Sequence, residues 1–183
     1  MFLNPHVYLT KIDCNALSDA EAETVSIALC DYGNFAAIST ADGRVVVLDS
    51  GGRIIGKYIS SDGSPFPKLA WKPGSTLLTC GNLNGLVACW AFDLNSVDIE
   101  DVVDSSSSVA LYEHVHGNEI SKLLWNSYTS DCHQRLLTID LSGRCCIWKG
   151  DDITGLNPIM TYETHQEVIA AAFLWPIACE QAV

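Results

Sequence analysis

The chain has 183 residues, 48% of them hydrophobic and only 17% charged, with a net charge of −12. A chain this apolar does not stay disordered, because disorder requires low hydrophobicity. The acidity excludes a nucleic-acid reader working through a basic surface and disfavours attachment to an anionic membrane. The length suits one ordinary domain. Eight cysteines (Cys14, Cys30, Cys80, Cys89, Cys132, Cys145, Cys146 and Cys179) form no CxxC pair, and several lie in apolar runs, where a free thiol acts as a small hydrophobe. With no Asn-x-Ser/Thr acceptor in the chain, they point to a reducing compartment. The first residues, Met1 to His6, lack the basic and apolar segments of a signal peptide. The longest apolar stretch, 168–179, contains Pro176 and is shorter than the ~20 residues a spanning helix needs. The expectation is a soluble cytoplasmic protein without membrane insertion.

After a lead-in over residues 1–24, the expected elements fall into a repeat. Apolar runs at 27–30, 35–38, 45–48 and 53–59 are followed by a second set at 68–71, 76–80, 87–90 and 109–112. A third set lies at 122–125, 136–139, 145–148 and 158–162, and a fourth begins at Val168. In each complete set a polar-Gly dipeptide separates the second run from the third: Asp42-Gly43, Asn84-Gly85 and Ser142-Gly143. Glycine between two apolar runs is a β-hairpin signal, since it accepts positive φ without strain. The glycines are 42 and then 58 residues apart. Four strands per unit of about 40–45 residues is the arithmetic of a propeller blade. The extra length of the second interval falls in residues 93–108, acidic and serine-rich, which read as an exposed insertion. Residues 131–134 lengthen another turn. Runs such as Val45-Val46-Val47-Leu48 and Cys145-Cys146-Ile147-Trp148 do not alternate, as expected where both faces of a sheet are covered.

These residues resemble the WD40 family over about 25–175. Trp90 and Trp148 occupy the tryptophan of its Trp-Asp dipeptide, and Leu48-Asp49 keeps only the aspartate. His116-Gly117 and His165-Gln166 stand near the place of its Gly-His pair. The family's turn aspartate matches Asp42 but is Asn84 and Ser142 in the other copies. No copy then assembles the family's His–Ser/Thr–Asp–Trp hydrogen-bond network, the third having His116, Thr138 and Trp148 without the aspartate. The resemblance implies an all-β, incomplete WD40-type β-propeller with blades at 25–60, 65–115 (with the insertion 93–108) and 117–165, and the first strand of a fourth in 166–183. Three blades fall short of the four to eight of closed propellers. The chain therefore reads as part of a longer propeller, or as one closed by self-association through its open edge.

Several motifs suggest chemistry and have plainer accounts. Gly51-Gly52-Arg53-Ile54-Ile55-Gly56-Lys57 approaches the nucleotide-binding GxxxxGK[ST], but Tyr58 stands where a hydroxyl must ligate magnesium, and 53–55 read as strand rather than helix. Asp49-Ser50-Gly51-Gly52 resembles the nucleophile segment of chymotrypsin-like proteases, with no base in a suitable context. His114, His116, Cys132 and His133 have no spacing that enforces a metal site. Gly150-Asp151-Asp152 reads as a polar turn rather than a magnesium site. No cofactor, metal or catalytic residue is expected.

What remains is a non-catalytic protein–protein scaffold whose partners are other subunits of a multiprotein complex. Residues Pro65, Phe66, Asn82, Asn118, Asp140 and His165, near the repeated glycines and before the first strands, are the candidate protein-binding positions. The order of blades is also similar to the N-terminal propeller of large intraflagellar transport complex A subunits, carried by Leu69-Ala70-Trp71-Lys72-Pro73, Ile120 to Trp125, and Pro158-Ile159-Met160 leading to His165 and Phe173. That similarity implies retrograde transport in cilia and a place at the cilium or basal body. Alternatives are a WD40 subunit of a coat, autophagy or ubiquitin-ligase assembly, or a nucleotide-binding enzyme using Gly51 to Lys57.

Overall fold

A computed structural model describes residues 23–32, 35–92, 109–113, 115–126, 134–151 and 155–172. The expected insertion at 93–108, together with His114, Cys132, His133 and Phe173, lies outside the described residues. The described elements are twelve β-strands, arranged as three antiparallel meanders of four. The first sheet contains β1 (Thr24–Leu29), β2 (Ala36–Thr40), β3 (Arg44–Leu48) and β4 (Ile54–Ile59). The second contains β5 (Lys68–Trp71), β6 (Leu77–Gly81), β7 (Val87–Ala91) and β8 (Val109–Tyr112), and the third β9 (Ile120–Trp125), β10 (Arg135–Asp140), β11 (Arg144–Asp151) and β12 (Gly155–Glu163). Within each sheet, strands adjacent in the chain are adjacent in space. Between sheets, the first strands lie closest, β1 beside β5 and β5 beside β9, and β7 also touches β12. The result is an open, incomplete propeller.

Neither half of a blade encloses a core, so the apolar residues are buried between blades. One face of β2 and β3, with Ala37, Val45 and Val47, packs on Trp71, Leu78, Cys80, Ala88 and Trp90 of the second sheet. The opposite face of the second sheet, with Leu77, Val87 and Cys89, packs on Ile120, Leu123, Leu136, Cys146 and Trp148 of the third. This two-sided burial explains the strands without alternation: β3 and β6 are buried along their whole length.

Side-chain size follows position in the stack. On the face of the first sheet that receives the second, the directly paired row is Ala28, Ala37, Val47 and Gly56. On the corresponding face of the second sheet it is Ala70, Thr79, Cys89 and Ala110. These rows are small because tryptophans of the next sheet press on them. A Cβ added at Gly56 would lie 2.6 Å from Trp90 ring carbons and 2.8 Å from Phe92. Trp71 donates its indole N–H to the Ala28 carbonyl at 3.1 Å, and Trp125 donates to Thr79 Oγ1 at 3.1 Å. Tyr112 continues the second seam, its Oη accepting from the Leu156 N–H at 2.6 Å and its ring meeting Trp148 edge-on.

Residues 168–172 have no strand beside them among the described residues, and the rest of the expected fourth set lies outside those residues. One expectation needs correction. Gly150 and Asp151, expected with Asp152 to form a polar turn after Trp148, are the end of β11, paired with Leu156 and Gly155, and Asp152 lies outside the described residues. Gly150 belongs in the strand because the Trp125 ring covers the place where its side chain would be.

Replacing Gly56 by alanine is expected to destabilise the fold by about 1–3 kcal/mol through overpacking against Trp90. The urea midpoint of the variant measures it, and a midpoint unchanged or raised would show that the aromatic seam can shift at no cost.

Candidate functional site

The turns joining the second and third strands of each sheet lie on one face of the molecule, at residues 41–43, 83–85 and 141–143. The segments following the fourth strands fold back onto them. Ser60 N–H donates to the Gly43 carbonyl, Ile120 N–H to that of Asn82, and Thr164 N–H to that of Gly143. The repeated glycine is required here twice over. Gly85 has φ of +82°, and a Cβ on it would meet the His116 carbonyl oxygen at 2.6 Å and that of Asn118 at 2.8 Å. Gly43 and Gly143 meet the equivalent segments at Gly63 and at Thr164 and Gln166.

The residue three positions before each glycine holds the turn. Asn82 Oδ1 accepts from the N–H groups of Asn84 and Leu86, at 3.0 and 2.7 Å. Asp140 Oδ1 accepts from those of Ser142 and Arg144, at 2.9 and 3.0 Å, and from the Ser142 hydroxyl at 2.6 Å. In the first sheet the roles reverse, with the Thr40 hydroxyl donating to Asp42 Oδ1 at 2.5 Å. Arg44 then pairs with Asp42, and its hydrogen bond is the main cause that draws the Asp42 carboxyl down to about 2.

The third sheet carries a four-membered network that the sequence reading missed. Trp148 Nε1–H donates to Thr138 Oγ1 at 2.8 Å, and the Thr138 hydroxyl lies 2.7 Å from His116 Nε2. His116 Nδ1 lies 3.3 Å from Asp140 Oδ2. With Nδ1 protonated, every member is satisfied: the imidazole donates to the carboxylate and accepts from the threonine. The aspartate is therefore present, as Asp140. It stands three residues before the glycine and not directly before it, where Ser142 stands. Burial holds the His116 imidazole below its ordinary value, against the pull of the Asp140 charge. Burial alone would raise the Asp140 carboxyl, but hydrogen bonds from Ser142 and Arg144, together with His116, leave it below the usual range.

The six candidate positions divide by burial. All belong to this face, but Phe66, Asn82 and Asp140 are wholly buried. Phe66 packs edge-on against Tyr58, and Asn82 and Asp140 hold turns, so these three side chains stabilise the face from beneath. Pro65 is half-buried, and Asn118 and His165 are exposed. His165 has φ of +57°, an uncommon conformation for a non-glycine residue. A cavity of about 180 Å³ opens beside it, lined by Gly117, Asp140, Ser142, Arg144, Glu163 and His165.

Two exposed apolar groups on this face are absent from the candidates. Leu83 and Leu141 occupy the same position in adjacent turns, each directly after the turn-holding Asn82 or Asp140, with side chains 40% and 43% exposed. Ala41 takes that position in the first sheet. The signal was available in the repeat itself, as the residue two before each glycine.

The chemical motifs resolve as turns and strands. Asp49 Oδ1 accepts from the Gly51 and Arg53 N–H groups, both at 2.9 Å, so two amides that a phosphate cradle would need are bonded to a carboxylate. Residues 54–59 continue as β4, not as a helix. Among the described residues no group of three or more His, Cys, Asp or Glu side chains could hold a metal ion. Burial raises the thiols of Cys30, Cys80, Cys89, Cys145 and Cys146, all of them free, which makes them poor nucleophiles.

Acidification is expected to weaken the fold in two steps. His116 resists protonation in the folded state, so stability falls as pH drops below about 6.5, the ordinary imidazole value. Asp140, held low when folded, adds a second loss below about 4, where the unfolded carboxyl takes up its proton. Urea midpoints between pH 8 and pH 3 read both steps. His116→Gln should flatten the upper step while lowering stability by about 1–3 kcal/mol, as expected for a broken buried network.

No family model matches the sequence, and no curated protein sequence matches it. Solved structures do. The chain is similar to Sqt1 of Saccharomyces cerevisiae, with 12% identity and a TM-score of 0.63, over 80% of this chain and 37% of that one. It is similar to the C-terminal WD40 domain of Sif2, with 14% identity and a TM-score of 0.56, over 78% of this chain and 37% of that one. A chain of the mitotic checkpoint complex gives 16% identity and a TM-score of 0.53, over 78% of this chain and 40% of that one. The chain thus spans well under half the length of each. Its three four-stranded sheets have the fold of a WD40-type β-propeller.

Proposed function

We propose that this protein is a non-catalytic scaffold that binds other proteins through the face formed by its three turns. The observation that carries this reading is the pair Leu83 and Leu141, exposed at equivalent positions of adjacent blades above buried, hydrogen-bonded turns. A rigid base under an apolar contact keeps the ordering cost of binding low. Asn118, Arg144, Glu163 and His165 supply polar groups around the pair.

The finer reading is a subunit of the ciliary retrograde transport machinery, acting at the cilium or basal body. Its support is the sequence resemblance to the N-terminal propellers of large complex A subunits. A subunit of another cytoplasmic assembly uses the same face and differs only in its partners.

Affinity purification from ciliated cells tests both levels. The wild-type chain should recover complex A subunits, and recovery of none of them would reject the ciliary reading. The double variant Leu83→Asp, Leu141→Asp should lose bound partners at least ~10-fold, consistent with the removal of two apolar anchors, while melting at the wild-type temperature. Undiminished recovery would reject this face as the binding surface.

A further inference from the structure

The outermost strands of the three sheets are not alike. β4 has Lys57 in its middle, and its Gly56 and Tyr58 are buried. β8 has only four residues. β12 has nine, and every residue from Asn157 to Glu163 is exposed, with Ile159 at 52%, Met160 at 47% and Tyr162 at 53%. From Gly155 to Tyr162 it carries no charge. Sheet edges are ordinarily blunted by shortness, lysine, proline or a bulge; β12 has the last two only at Pro158, and residues 159–163 carry none of them. Pro158 removes one donor near its start, at the bulge opposite Ile147 and Trp148. Residues 159–163 beyond it all carry a backbone N–H. One side of β12 is paired with β11, and the other has no strand beside it among the described residues.

This stretch is complementary to itself. Antiparallel pairing of two copies about Thr161 sets Thr161 against the partner's Thr161 and Met160 against the partner's Tyr162. Ile159 then meets the partner's Glu163, so no like charges oppose. Thr–Thr and Met–aromatic pairs are both favourable across strands. Met160 also ends a directly paired apolar row, Leu124, Leu137, Ile147 and Met160. The equivalent rows of the first two sheets are small and receive a tryptophan; this row is uniformly large, and an added strand would continue it.

We propose that β12 is a self-pairing edge through which two copies join antiparallel over residues 159–163, making one eight-stranded sheet across a two-fold axis. The contact is isologous and closes at two copies. Each copy carries a net charge of −12, so repulsion opposes the pairing and salt, by screening it, strengthens it.

Sedimentation velocity on a concentration series tests this. The wild-type chain should reach twice its 19.9 kDa, at lower concentration as salt is raised. Thr161→Lys and Thr161→Glu each set like charges directly opposite and should weaken the dimer at least ~10-fold, in line with destabilising like-charge pairs. An equimolar mixture of the two should restore it, with thermal melts verifying that each variant is folded. Met160→Lys, on the other face of the strand, removes both Met160–Tyr162 pairs and should also weaken the dimer. A wild-type monomer at all concentrations, variants that stay dimeric, or a mixture that stays monomeric would each overturn the proposal. The Leu83→Asp, Leu141→Asp protein should remain dimeric, so failure of this edge and failure of the binding face are read separately.

Discussion

The fold depends on tryptophan pressed into a row of small residues on the preceding blade. A four-stranded meander has two faces and no interior, so no blade here is stable alone. Trp90 fits because Gly56 lacks a side chain, and Trp125 reaches Thr79 because small residues, Ala70 and Cys89, flank it in the row. Large aromatics bury much apolar area, and their indole N–H groups need partners once buried. Trp71, Trp125 and Trp148 all find one, the first two across the seam to the preceding sheet. The seam is thus apolar in area and polar in register, which fixes how one sheet sits on the next.

The turn face is a by-product of the same arrangement. Stacking the sheets brings three turns to one end, and the returning chain segments clamp each turn from above. That clamp excludes any side chain at the turn glycines and buries the residues holding the turns. Asn82 and Asp140 are consumed in this way, while the residue after each is pushed outward. The His116 network adds a further tie, linking the segment before β9 to strands β10 and β11. Rigidity beneath and apolar exposure above therefore have one cause.

The strand positions were legible in the sequence because polar-Gly turns and apolar runs are local signals. All twelve expected runs correspond to strands, and the all-β, incomplete propeller follows from their number. The exception was a position where a neighbour in space mattered more than neighbours in sequence. Gly150 looks like a turn residue until the Trp125 ring is placed over it.

The turn face was legible as a location, but the orientation of the candidate side chains was not. The repeat put Pro65, Phe66, Asn82, Asn118, Asp140 and His165 at one end of the molecule. Asparagine, aspartate and phenylalanine can each face outward or inward, and local sequence does not choose between them. The choice was made by backbone donors left unpaired in the tight turns, which draw Asn82 and Asp140 inward, and by the Tyr58 ring, which receives Phe66. The sequence by itself determined the strand count, the turn glycines and the three-blade repeat, since these depend on residues close in the chain. Only the tertiary structure decided which polar groups are buried, which leucines are exposed and which edge strand lies open along its second half, because burial depends on what another sheet or segment covers.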